Sequence, residues 1–229
     1  MCSRKVKSPA SALGEAIGKL VENAIKEIVE EIVKAKGLKI GKKLLVDKVG
    51  VEFEIDLPII KANSPIALID VKYLRYKKHA RDKSSWVVVA HSRIRATYPG
   101  IKRALVILLG HGWTEPAKKL ISTSCIDVIS LDPSLLDTIL KDYGIHFIWD
   151  EKDDKTPKES WQAFVKLSSE IKDEIKERIK KESGIEEQIK RWFYEYVLEE
   201  DPEEKLKLTY MCAEASKTER LDKFISGKE

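Results

Sequence analysis

A long amphipathic segment near the start of the chain limits the possible folds more than any other feature. Between residues 10 and 36, apolar side chains recur at spacings of three and four: Leu13, Ile17, Leu20, Val21, Ala24, Ile25, Ile28, Val29 and Ile32. This spacing places them on one face of a helix, and Gly37 is a typical helix stop. The segment predicts one long helix that packs its apolar face against the rest of the protein.

Strand patterns follow this helix. Short runs rich in β-branched and other apolar residues, separated by turn residues, are typical of strands. They occur at residues 43–47, 51–60 and 66–74. Residues 82–97 can form the next helix. A helix followed by an antiparallel meander is therefore the predicted start of the fold.

Helices and strands alternate in the next part of the chain. Strands are predicted at residues 103–109, 126–131 and 146–149, and helices at residues 115–121 and 133–143. After a charged linker at 150–158, helices are predicted at 159–181, 186–199 and 202–224. Such alternation predicts an α/β fold, a central mixed sheet flanked by helices. We divide the chain into a core at 1–150 and a helical C-terminal region at 151–229.

The composition excludes some classes of protein and favours one kind of partner. The 229 residues are 43% hydrophobic, enough for a sizeable core, and Lys, Glu and Ile are used heavily, as in thermophile proteins. The most apolar runs are far shorter than the roughly 20 residues that span a bilayer. We expect a cytoplasmic protein with no membrane partner. Residues 1–149 carry 25 Lys and Arg against 16 Asp and Glu, which suits a polyanion.

Two predicted strands carry charges in unusual places. Along 51–60 the apolar Phe53, Ile55 and Leu57 alternate with acidic residues, so a period of two places Asp56 on the face opposite this apolar set. Along 66–74, Asp70 and Lys72 share one face of a largely apolar strand. Charges in such a position are unfavourable unless they are paired or used. An ion pair at a strand edge is the simplest explanation of them.

The order of these residues resembles the PD-(D/E)XK nuclease superfamily, which includes many type II restriction endonucleases and archaeal Holliday-junction resolvases. That family has a helix with a glutamate, a strand with an aspartate, and a strand with Asp or Glu, any residue, and Lys. Asp56 resembles the strand aspartate, and Asp70, Val71 and Lys72 resemble the final motif fourteen positions later.

Four glutamates of the predicted helix are candidates for the helix glutamate: Glu15, Glu22, Glu27 and Glu31. Glu22 is preferred, because family members often have a glycine four residues earlier and Gly18 occupies that place. The family name includes a proline directly before the strand aspartate. In this chain Ile55 occupies that position. An acidic residue two positions before a lysine also occurs at residues 150–152 and elsewhere. Only the strand context makes the instance at Asp70 informative.

The resemblance implies a restriction-endonuclease-like core and a Mg²⁺-dependent site, with Mn²⁺ as a possible substitute. In such a site, Asp56, Asp70 and the carbonyl of Val71 would bind the metal. Lys72 would position or deprotonate the attacking water and stabilise the developing negative charge. Glu22 would act on the metal through water.

Basic residues cluster directly after the motif. The cluster contains Arg75, Lys77, Lys78, Arg81 and Lys83, interleaved with Tyr73, Tyr76 and His79, and Arg93 extends it. Such a surface suits contacts to DNA phosphates, although an ordinary solvated loop has the same composition.

The preferred interpretation is an endonuclease of double-stranded DNA, of the sequence-specific type II restriction kind. Cutting both strands with one site per chain favours a homodimer. A structure-specific repair or Holliday-junction nuclease is the first alternative. A DNA-binding protein with a nuclease-like fold and no catalysis is the second.

Overall fold

The structure, a computed structural model, describes residues 8–150 and 152–198. Its first helix, α1, runs from Pro9 to Ala35 and begins at the N-cap Ser8, whose hydroxyl accepts a hydrogen bond from the Ser11 N–H. It ends where Gly37 adopts a left-handed φ of 65° and the Leu38 N–H donates to the Val33 carbonyl at 2.8 Å. This is the glycine-terminated helix end that the sequence predicts.

The strands form a five-stranded mixed sheet and a separate two-stranded hairpin. Their bounds are β1 Lys39–Ile40, β2 Leu44–Val46, β3 Glu52–Glu54, β4 Leu57–Lys61, β5 Ser64–Tyr73, β6 Arg103–Leu109 and β7 Asp127–Ser130. The main sheet has the order β1-β4-β5-β6-β7, and β2 pairs with β3. Strands β1, β4 and β5 pair antiparallel, whereas β5, β6 and β7 pair parallel. The predicted mixed α/β fold is confirmed at this level.

Helices cover both faces of the main sheet. The remaining ones are α2 Ala80–Thr97, α3 Glu115–Ser122, α4 Pro133–Lys141, α5 Lys155–Lys166, α6 Ser169–Glu182 and α7 Ile185–Trp192, followed by a π-helical turn at Phe193–Val197. A short 3₁₀ turn at Lys77–His79 precedes α2. Helices α2 and α3 pack with the hairpin in one hydrophobic core. Helices α1 and α4 to α7 share the core on the opposite face.

The predicted strand at 51–60 is wrong as a single element. It divides into β3 and β4, which belong to different sheets, and the break falls at Ile55 and Asp56. Ile55 is buried in the core beside α2, whereas Leu57 is buried in the core beside α1. The alternation of period two does not continue through the break, and Asp56 is itself buried, with 8% exposure.

Two other predictions about helices and strands need correction. Residues 146–149 form no strand, because Asp137 accepts the Phe147 and Ile148 N–H groups at 2.7 and 3.1 Å in place of a neighbouring strand. The predicted helix 159–181 is two helices, since Leu167 is extended and Ser168 caps α6. The predicted helix 202–224 lies outside the described residues.

None of the described helices is long and apolar enough to cross a membrane.

Candidate active site

The site lies where β4 ends and β5 continues. Leu57, the first residue of β4, pairs with Ile69, so beyond that point β5 keeps only β6 as a neighbour. Asp56 fills the vacated edge. Its Oδ2 accepts a hydrogen bond from the Val71 N–H at 2.9 Å, and its own N–H donates to Asp70 Oδ1 at 2.9 Å. The two aspartates thus replace the backbone hydrogen bonds that β4 no longer makes to β5. These contacts hold both carboxylates in place.

Lys72 joins the two carboxylates. Its Nζ lies 3.0 Å from Asp56 Oδ2 and 3.0 Å from Asp70 Oδ1. The alternation of β5 places Lys72 and Asp70 on the same face of the strand, facing α2, as the sequence predicts. The structure therefore brings together three of the predicted catalytic residues, Asp56, Asp70 and Lys72.

Asp70 is the most enclosed member of this group, with 1% exposure. Its second oxygen, Oδ2, lies 2.8 Å from Nε2 of His91, which is fully buried in α2. Both carboxylate oxygens of Asp70 are thus engaged by protein groups. Burial raises its pKa, but the Lys72 charge and the His91 hydrogen bond outweigh burial, so the pKa of Asp70 lies below its ordinary value. Asp70 is a permanent anion near neutral pH.

The pKa values of Asp56 and Lys72 move differently. Burial, reinforced by the neighbouring Asp70 charge, raises the pKa of Asp56 above its ordinary value despite Lys72. For Lys72, burial acts to lower the pKa, and the attraction of Asp70 and Asp56 more than offsets it, so the pKa is raised. Lys72 therefore holds its proton near neutral pH. In this arrangement it is a cation that stabilises charge rather than a base that removes a proton.

Glu22 approaches the cluster from α1. Its Oε1 accepts a hydrogen bond from Lys19 at 2.9 Å and forms a short ion pair with Lys43. Lys43 Nζ is also 3.5 Å from Asp56 Oδ1, so this lysine connects Glu22 to the other predicted catalytic residues. Burial raises the pKa of Glu22, and the two lysines outweigh it and lower that pKa. Glu22, like Asp70, is ionised at neutral pH.

The oxygen atoms of the site suit a hard divalent cation such as Mg²⁺ or Mn²⁺. Asp56 Oδ1 has only the longer contact to Lys43, and the Val71 carbonyl points to the same strand edge as the Val71 N–H that Asp56 accepts. These two groups could hold the ion. Asp70 is also a predicted ligand, but both of its oxygens already contact protein groups. It would have to lose one of these contacts to bind the metal. Within residues 8–150 and 152–198, no three His, Cys, Asp or Glu side chains are grouped to hold a metal. Water or substrate phosphate would complete the ligands, as is usual for Mg²⁺.

The predicted DNA-contacting residues divide into three kinds. Lys77, Lys78, Arg81 and Lys83 are exposed on the 3₁₀ turn and the first turn of α2, in keeping with a phosphate-contacting surface. Arg93 is exposed but donates to Asp47 Oδ2 in the hairpin at 2.6 Å. Arg75 is buried, with 9% exposure, and does not belong to the exposed surface.

Sequence reasoning missed two residues that contact the predicted catalytic group. His91 could have been found, because Val87, Ala90, His91 and Ile94 have the spacing of a buried helix face and all four are buried. Lys43 has no such signal. It precedes β2, where its carbonyl accepts a hydrogen bond from the Ile55 N–H at 2.7 Å, and only the tertiary structure brings its side chain to Glu22 in the middle of α1.

A nearby tryptophan supports the strand that carries the motif. Trp113 Nε1 donates to the carbonyls of Lys72 and Leu109, at 3.1 and 3.2 Å. It follows β6 and thereby links the ends of β5 and β6. This contact explains Trp113 as a structural residue that holds the end of β5 in place.

Comparison with known proteins identifies no family. No family model matches the chain. No curated protein matches it either. A crystal structure of a protein of unknown function, AF1548, is similar at 15% sequence identity and a TM-score of 0.34, covering 72% of this chain and 98% of that one. A likeness this weak supports no conclusion about fold or activity.

Proposed function

We propose that the chain is a metal-dependent endonuclease that hydrolyses phosphodiester bonds of double-stranded DNA on a restriction-endonuclease-like core. The convergence of Asp56, Asp70 and Lys72 carries the proposal. Lys72 Nζ lies 3.0 Å from an oxygen of each aspartate, and the group occupies the open end of β4. A structural ion pair needs one carboxylate per lysine, whereas this group places two carboxylates beside one half-buried lysine.

Each residue has a distinct task in this proposal. Mg²⁺, when bound, supplies a water of lowered pKa and neutralises phosphate charge. Asp56 and the Val71 carbonyl hold the ion. Lys72, protonated, donates to the phosphate oxygen on which negative charge develops. Asp70 fixes Lys72 and the Asp56 backbone, and Glu22 orients water at the side facing α1.

We further propose sequence-specific cutting by a homodimer, as in type II restriction. One site per chain cuts one strand, so two copies related by two-fold symmetry cut both. The exposed basic residues Lys77, Lys78, Arg81 and Lys83 contact the DNA backbone in this arrangement.

The test is cleavage of plasmid and bacteriophage DNA with Mg²⁺, with Mn²⁺ and with chelator. Discrete fragments that need the metal are expected. Lys72→Met removes the charge and retains the methylene chain, and it should lower the cleavage rate by about 10²-fold or more. Lys166→Met, at an exposed lysine of α5 that has no role in the proposed site, is the matched control and should cut within about twofold of the wild-type rate.

DNA binding and the melting temperature, measured on the same variants, separate chemistry from folding. A folded Lys72→Met protein that cuts DNA at the wild-type rate would refute the assignment. Degradation without discrete fragments would support nuclease activity and would refute sequence-specific cutting.

A further inference from the structure

A cavity of about 540 Å³ lies between the first half of α1 and the end of β5. Gly14, Gly18 and Glu22 line it from α1, and Tyr73, Arg75 and Tyr76 from the other side. A Cβ at Gly14 would lie 2.6 Å from Cε1 of Tyr73, so a larger residue there would displace the tyrosine ring. The volume is in the range of sites for small molecules or single nucleotides.

Arg75 is an unpaired buried cation in the wall of this cavity. Only 9% of the residue is exposed, and within residues 8–150 and 152–198 its guanidinium has no carboxylate partner and no hydrogen-bond acceptor. It lies over the rings of Tyr76 and Trp149, 4.7 and 4.1 Å from their centroids. Ring contacts offset part of the cost of burying the charge, and the N–H donors, which have no acceptor among the described residues, remain available to a ligand in the cavity.

The neighbouring charges leave Arg75 as the group to be neutralised. Glu22 is already paired with Lys19 and Lys43, and Lys19 itself lines the cavity. Glu15 is the other acidic residue of the wall. An anionic ligand would satisfy the donors of Arg75, and a guanidinium is suited to the paired oxygens of a phosphate.

We propose that this cavity binds a phosphomonoester, with Arg75 as the anion-binding residue. A phosphate within a duplex carries a sugar on each side and cannot reach a side chain that is nine-tenths buried. A free nucleotide or the phosphorylated end of a strand can. Glu22 and Val71 belong to the same cavity, so the occupant lies beside the candidate active site. Only its relevance to cleavage rests on the proposed function.

Binding to the full chain is measured without divalent metal, by calorimetry and by the fluorescence of tryptophans including Trp149. The probes are deoxyadenosine 5′-monophosphate, deoxyadenosine, inorganic phosphate, and short duplexes with phosphate or hydroxyl ends. We expect the monophosphate to bind at least about tenfold more tightly than the nucleoside. Equal binding of the two, or no binding of any phosphate at millimolar concentration, would overturn the proposal, and neither result needs a variant.

Arg75→Gln should weaken binding of the monophosphate by about tenfold or more. Arg75→Lys should weaken it less, because lysine keeps the positive charge but lacks the paired N–H donors of the guanidinium. Arg191→Gln, at an exposed arginine of α7 that does not line the cavity, is the matched control and should change binding less than about twofold. Wild-type binding by folded Arg75→Gln would refute the role of Arg75. Preference for phosphate-ended over hydroxyl-ended duplexes identifies a strand end, and binding of the free nucleotide alone identifies a small ligand.

The same titrations on Lys72→Met separate this inference from the proposed function. If the chain is no nuclease, phosphate binding persists in both proteins. If cleavage occurs and phosphate binding fails, only the cavity assignment is lost.

Discussion

The charged side chains on the two sides of the end of β5 differ in how they are neutralised. On the side facing α2, Asp70, Lys72 and His91 form a closed group in which every charge has a partner at 2.8 to 3.0 Å. On the side facing α1, Arg75 is equally enclosed but is covered only by aromatic rings. Arg75 follows Lys72 by three positions in the sequence.

This difference in charge pairing predicts different effects of mutation on the two sides. A buried group whose charges are all paired is rigid, and removing one member leaves another charge unsatisfied. A buried cation with no carboxylate partner among the described residues can accept an anionic ligand, which is the role proposed for Arg75. We therefore expect the first side to be sensitive in stability and the second to be sensitive in ligand binding.

The largest expected effect is on the free energy of unfolding of Asp70→Asn. Loss of this carboxylate removes the buried partner of His91 and one of the two partners of Lys72, and it should lower stability by about 3 kcal/mol. Asp56→Asn is the matched comparison. Since burial raises the pKa of Asp56, a neutral residue fits there, and we expect a loss below about 1 kcal/mol. Urea unfolding of the two variants at pH 7 measures both, and equal losses would contradict the comparison.

The pH dependence of stability distinguishes the same two residues. The pKa of Asp70 is lower in the folded protein than in the unfolded chain, so its contribution is present above the unfolded pKa and is lost as pH falls through the folded pKa. The stability difference between wild type and Asp70→Asn should thus be constant from pH 7 to pH 5. It should shrink below about pH 4. A difference that disappears already between pH 7 and 5 would refute the lowered pKa.

The smallest expected effect concerns the salt dependence of binding to hydroxyl-ended duplex DNA. Replacing the exposed Lys77, Lys78 and Arg81 by alanine should reduce the slope of log affinity against log salt by about 0.9 for each lost phosphate contact. Arg75→Gln should leave this slope unchanged, since its guanidinium is buried. Filter-binding titrations in Lys72→Met avoid cleavage during the measurement. An equal reduction by Arg75→Gln would place Arg75 on the exposed surface.

Local patterns were enough to predict the elements that carry the site. The spacing of apolar residues located α1 within one residue at each end, and alternation along β5 placed Asp70 and Lys72 on one face. Residues 51–60 were predicted less well, because a break at Ile55 and Asp56 moves the chain from one sheet to another. An apolar alternation looks the same whether the strand continues or changes sheets.

The amino-acid sequence alone was enough to predict the long helix α1 with its buried face, the parallel strands β6 and β7, and the shared face of Asp70 and Lys72 in β5. These properties depend on neighbours a few positions apart, where periodicity is decisive. Tertiary packing brings Lys43 and His91 into contact with the carboxylates. It also buries Arg75 and leaves Arg81 exposed. Such contacts join residues 13 to 74 positions apart, as Asp56 with Lys43 and Arg75 with Trp149. They are set by how the layers pack, which no local pattern specifies.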